Sequence, residues 1–159
     1  MSIVRDYMMR TLNSVTVEDT IEYTIKFMCK REMAVLPVVD NTNKFIGTIY
    51  SQNILKNVLP EQYGIMDSQK IFYEINHAAE NLGEIRNKKV KDYMHSNIKA
   101  VKEKDSMDKV TNVMLKNQES YIFVTNNQGN LRGFISRADL LLYLLKVSEG
   151  EDNISEDNI

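Results

Sequence analysis

The pentapeptide VRDYM (Val4 to Met8) returns 86 positions later as VKDYM (Val90 to Met94), and the register between the two copies then holds without a gap. The same offset carries Asp19 onto Asp105, Met28 onto Met114, Val38 onto Val124, Gly47 onto Gly133, Ile49 onto Ile135 and Leu55 onto Leu141. Of 52 aligned positions 13 are identical, and most others keep their apolar or polar character. An ungapped internal repeat predicts two copies of one folding unit. Each copy is roughly 55 residues, a size at which a lone core is marginal, so the copies are expected to pack together. Two copies facing each other make a cleft, and a cleft can hold a ligand.

The order of signals inside each copy defines that unit. A β-branched run, VTV (Val15 to Val17), opens the first copy, and its weaker twin is KAVK around Val101. Ile21, Ile25, Met28 and Cys29 then recur at helical spacing, as do Met107, Thr111, Met114 and Leu115, with Val110 and Val113 widening the second stripe. AVLPVVD and YIFVT read as buried strands. The turns DNTNK and NNQGN lead into the hairpin partners FIGTIY and LRGFIS. Closing helices SQNILKNVL and RADLLLYLLKV follow, with Ser51 and Ser136 near their N-caps. The predicted class is α/β, two pseudo-symmetric β-α-β-β-α repeats packed through small sheets. Repeat 1 covers 1–60, a partly helical linker 61–89, repeat 2 90–147 and an acidic, disordered tail 148–159.

Charge and composition narrow the partners. The net charge is −2 among 159 residues, with a pI near 5.7, so no basic footprint for nucleic acid is present. The opening MSIVRDYMMRTLNSV has no continuous apolar stretch, and no segment approaches a membrane span. A soluble, cytoplasmic chain without membrane partners is expected. The single cysteine, Cys29, has no intrachain disulfide partner and is expected to pack in the core. Met8, Met9 and Met94 read as core filler. His77 and His95 lack metal-type spacing, so no metal site is expected. Tyr63, Phe72 and Tyr73 in the linker read as packing residues.

The repeated unit, the LPVVD-type strand and the G-x-x-S-x-x-D tail together resemble the CBS domain, the module named after cystathionine β-synthase. Two tandem copies look like a stand-alone CBS pair over nearly all of residues 1–147. The resemblance implies sheets packed repeat against repeat, homodimerisation, and an adenosine-containing regulatory ligand. No catalytic cofactor is implied.

In GFISRADLL (Gly133 to Leu141), Ser136 ends a strand and Asp139 falls in the first turn of a helix. A carboxylate can accept hydrogen bonds from vicinal ribose hydroxyls. The Ser136 hydroxyl, free helix amides and Arg137 suit a phosphate. Gly133 admits a ligand or a neighbouring backbone. The resemblance assigns Asp139 to ribose and Ser136 to phosphate, and it draws adenine contacts from the stretch Thr11 to Ser14, including Asn13 and Ser14, and from Met33 and Ala34. On residues alone, Ser136 and Asp139 equally form a helix cap.

The first copy departs from the pattern, with Tyr50 at the hydroxyl position and Asn53 at the carboxylate position. The mirror site, near Lys99, Glu119 and Ser120, therefore lacks its anchors, and one adenosine site per chain is expected. No phosphate loop, nucleophile elbow or H-E-x-x-H occurs, and no catalytic residue is assigned. The expected role is regulatory: sensing AMP, ADP, ATP or a cyclic di-AMP-class ligand on behalf of an effector enzyme or transporter. The rival reading is a dimerisation scaffold with a vestigial pocket.

Overall fold

The computed structural model describes residues 2–10, 13–59 and 68–150, with backbone alone over 68–74. The acidic tail beyond 150, Thr11 and Tyr63, and the side chains of Phe72 and Tyr73, lie outside the described residues. The first repeat contains β1 (Val15–Thr16), α1 (Ile21–Arg31), β2 (Val35–Val39), β3 (Phe45–Tyr50) and α2 (Ser51–Val58). A linker helix, α3 (Ser68–Ile85), follows. The second repeat contains β4 (Ala100–Lys102), α4 (Met107–Asn117), β5 (Tyr121–Thr125), β6 (Leu131–Ser136) and α5 (Arg137–Ser148). Strand order is β1-β2-β3 in one sheet and β4-β5-β6 in the other. In the second sheet β4 runs parallel to β5 and β6 antiparallel to it. The KAVK strand, weaker in sequence, is the longer of the two opening strands.

Helix ends explain themselves locally. The Thr20 side chain caps α1 by accepting the Tyr23 N–H at 3.1 Å, and Ser106 does the same for α4 from Lys109. Both helices stop at a left-handed residue, Glu32 (φ 55°) and Gln118 (φ 54°), related by the repeat offset. The N-cap of α2 is Tyr50, without a side-chain bond, and Ser51 is already the first helical residue, one position on from where its hydroxyl would cap.

The buried stripe differs from the one read from spacing. Ile21, Thr24 and Met28 are buried in α1, and Met107, Val110 and Met114 in α4. Cys29 is exposed rather than in the core, and its counterpart Leu115 is 74% exposed. Thr24 masks the true stripe because it is polar in sequence. Inside the fold its hydroxyl donates to Thr20 O at 2.8 Å, which removes the cost of burying it.

Two compact units emerge: Met1–Asn13, Thr42–Phe45 and Ile98–Ile159 form one, and Ser14–Asn41 with Ile46–Asn97 the other. The repeats have therefore exchanged their opening segments. In the first unit Val4, fully buried, joins Met8, Val101, Met107, Val110, Ile122 and neighbours in one core. Its N–H donates to Asp105 O, and that of Arg5 to Glu103 O, both at 2.9 Å. In the second unit Val90 donates to Asp19 O at 2.9 Å and Lys91 to Val17 O at 3.2 Å, the same bonds shifted by one repeat. The short 3-10 turns Val4–Asp6 and Val90–Asp92 carry these contacts.

Charged pairs reinforce both attachments. Glu103, whose side chain is 11% exposed, binds Arg132 at 3.0 Å and Arg5 at 3.4 Å. Glu18 meets Lys89 and Lys91, and the Lys89 hydrogen bond above all holds its carboxyl below the ordinary value. Partial burial pushes the Asp105 carboxyl up, but the Lys102 N–H at 2.7 Å and the Lys109 ammonium at 3.1 Å outweigh it, and the net shift is downward. Among the described residues no helix is long and apolar enough to cross a membrane.

Candidate functional site

The junction of β6 with α5 gathers four of the residues singled out by sequence: Gly133, Ser136, Arg137 and Asp139. Gly133 has φ 156°, and a Cβ there would overlap the Met9 carbonyl and approach Met8 Cε. Of the two roles open to this glycine, the close neighbour is backbone: Met9 and Phe134 pair across it. Gly47 repeats the arrangement against His95 and Met94 in the second unit.

Ser136 and Asp139 bind each other in a capping box. The Ser136 N–H donates to Asp139 Oδ2 at 2.8 Å, and the Ser136 hydroxyl donates to the same oxygen at 2.9 Å. The Asp139 N–H returns a bond to Ser136 Oγ at 3.2 Å. Both residues are half-buried. Arg137 lies across the end of α4, with Nε donating to Glu119 O at 3.2 Å and Nη2 to Gln118 O at 3.1 Å. A cation there complements the partial negative charge of a helix C-terminus. The capping box is legible as S-x-x-D in the sequence; the grip of Arg137 on α4 has no sequence signal.

The remaining candidates stand elsewhere in the chain's two units. Asn13 belongs to the first unit and Ser14 to the second, and both are half-buried. In the second unit Met33 is buried, with its N–H on Met28 O at 3.0 Å, and Ala34 is exposed, its carbonyl accepting the Ser51 N–H at 2.8 Å. Met33 and Ala34 thus sit where α1 ends and β2 begins.

The first-copy motif is engaged by its own unit. The Asn53 amide donates to Tyr93 O at 3.2 Å, and the Tyr50 ring meets His95 edge-on at 5.4 Å. Near its would-be partner residues, Lys99 pairs with Glu119 at 3.3 Å, and Ser120 O accepts the Arg137 N–H at 3.1 Å. Elsewhere in the second unit, an apolar groove of about 250 Å³ lies among Ile25, Met28, Cys29, Ile54, Leu55 and Leu82.

Comparison with known proteins agrees with this architecture. The CBS domain family model matches residues 4–60 and again 90–146. The chain belongs to the CBS domain family. An uncharacterised protein of Methanocaldococcus jannaschii is 23% identical over 154 residues, 90% of this chain and 91% of that protein. Among solved structures, a CBS domain-containing protein of unknown function from Bacillus anthracis aligns with a TM-score of 0.72 at 22% identity, over 92% of this chain and 94% of that one. CBSX2 from Arabidopsis thaliana aligns at 0.74 with 16% identity, over 92% and 96% of the two chains. CBSX2 in complex with AMP aligns at 0.70 with 19% identity, over 92% and 99%.

Proposed function

We propose that this chain is a regulatory module that senses an adenosine-containing nucleotide, of the AMP, ADP, ATP or cyclic di-AMP class, and passes that state to an effector enzyme or transporter. The observation that carries the reading is Asp139: a half-buried carboxylate, oriented by its capping box in the first turn of α5. A carboxylate held in this way is a pre-set acceptor for ribose hydroxyls. The AMP bound by CBSX2, a protein of the same fold, supports the class of ligand. The degenerate first motif, with neutral Asn53 in place of the carboxylate and Tyr50 in place of the hydroxyl, supports one site per chain.

A thermal-shift series against these nucleotides tests the proposal. A ligand that binds only the native state adds about 2.7 kcal/mol of stability at a hundredfold excess over Kd. An unchanged melting temperature with every nucleotide refutes the sensor.

One observation favours a second reading, the dimerisation scaffold. No residue of α5 is buried, and Leu141 and Leu145 are 65% and 55% exposed. Association without a thermal response to nucleotides would select it.

A further inference from the structure

We infer that the leucine ridge of α5 seats in the apolar groove of a second copy's other unit, so that unlike units meet in the pair. The duplication places equivalent apolar positions on both units: Leu115 corresponds to Cys29, Leu141 to Leu55 and Leu144 to Val58. The two faces nevertheless differ in shape. In the second unit α3 packs on α2, and the Asn81 amide donates to Val58 O at 3.2 Å. Val58 is buried there, whereas Leu144 is exposed. Leu82 of α3 also lines the groove of about 250 Å³, together with Ile54 and Val58. The first unit has no third helix among its described residues. Its Leu141, Leu142 and Leu145 stand out as a ridge.

Pairing like units sets the two grooves mouth to mouth, and unfilled apolar volume is destabilising. A ridge laid into a groove fills it. Charge then sets the direction. The groove continues past Ile25 and Leu82 into a second hollow of about 270 Å³, where Lys26 and Arg86 outnumber Glu22. Helix α5 ends at Glu149, beside carbonyls that carry the partial negative charge of a helix C-terminus. The spans from Cys29 back to Glu22 and from Leu142 on to Glu149 are equal, about 10 Å of helix each. With α5 antiparallel to α1 of the second copy, Leu142 and Leu145 enter the apolar part while Glu149 reaches the two cations. A two-fold axis makes the same contact twice. The pairing does not depend on nucleotide binding, and it specifies the surfaces that the scaffold reading leaves open.

Cys29 is the chain's one cysteine and lines the groove, so disulfide trapping reads the pairing. A bridge forms only where Cα atoms come within about 7 Å. Leu141→Cys and Leu145→Cys are introduced singly into the full chain, at exposed positions that leave the core intact. After mild oxidation at micromolar concentration, at least one variant is expected to run as a linked dimer on a non-reducing gel. Adding Cys29→Ser should abolish that link, and wild type should stay unlinked. Linking of wild type through two Cys29 thiols, linking that survives Cys29→Ser, or no link in either variant overturns the inference. In the first two cases the scaffold reading stands. A monomeric wild type by light scattering overturns the inference and the scaffold reading together, and leaves the nucleotide sensor in place.

Discussion

Met9 and Phe134 exchange both of their backbone hydrogen bonds, at 2.8 and 2.9 Å, across the face of a glycine. Gly133 is what allows that approach: its φ of 156° is unfavourable to side chains, and an added methyl would overlap the Met9 carbonyl. Gly133→Ala is expected to lower stability by about 1–3 kcal/mol, the usual cost of forcing extra volume into a packed contact. The urea midpoint reads it. A loss under about 0.5 kcal/mol would mean that the opening segment yields without cost.

The two copies of the ligand motif should respond unequally to truncation. Asp139→Ala removes the proposed ribose acceptor, and hydrogen bonds to charged groups are worth about 1.5–3 kcal/mol. It also removes the N3 half of the capping box on α5, so affinity is to be compared well below the variant's melting temperature. Asn53→Ala should change affinity much less, since a neutral amide stands there in place of a carboxylate and Tyr50 in place of the hydroxyl residue. Titration with adenosine or AMP decides. Two equivalent sites per chain, or a greater loss from Asn53→Ala, would sink the assignment.

Acid should loosen the attachment at Asp105. Its carboxyl titrates below its ordinary value in the folded chain, so it contributes stability above the unfolded value, about 3.9. That contribution disappears as the pH falls through the lower folded value. Asp105→Asn keeps an oxygen for the Lys102 N–H but has no charge for Lys109. The stability gap between wild type and variant should stay constant from about pH 7 to 5 and close below about pH 4. Denaturant titrations over this range measure it, and a gap that persists at low pH contradicts the mechanism.

Self-association through α5 is expected. Its Leu140 and Tyr143 pack on the first unit's core, while Leu141, Leu142, Leu144 and Leu145 face outward. Leucines on a helix surface in this density call for a cover, and a symmetric pair supplies one. Light scattering at micromolar concentration should return the mass of a homodimer, and Leu141→Glu with Leu145→Glu should return the monomer. A monomeric wild type refutes the prediction.

Period and offset made most of the elements legible: strands of continuous apolar residues, turns rich in Asn and Gly, and helices after each. The stripe on α1 was less legible because Thr24 hides its hydroxyl inside the helix, while Cys29 falls at the rim. Spacing alone ranks a cysteine above a threonine for burial. The Ser136–Asp139 pair was visible as a pattern with two meanings, cap and ligand anchor, and the cap is realised. The engagement of Arg137 was not legible, since it depends on carbonyls 18 and 19 positions away that any residue type provides.

The exchanged opening segments change what counts as the smallest piece of this protein that can stand alone. A fragment ending near residue 60 would have neither Val90 nor Lys91 to bond Asp19 and Val17, and one starting near residue 90 would leave the place of Val4 and Met8 empty. Neither half of the duplicated sequence is then an independent building block. A single copy with this design would need a second molecule to lend it the missing piece, a contribution that the duplicated chain makes from within itself.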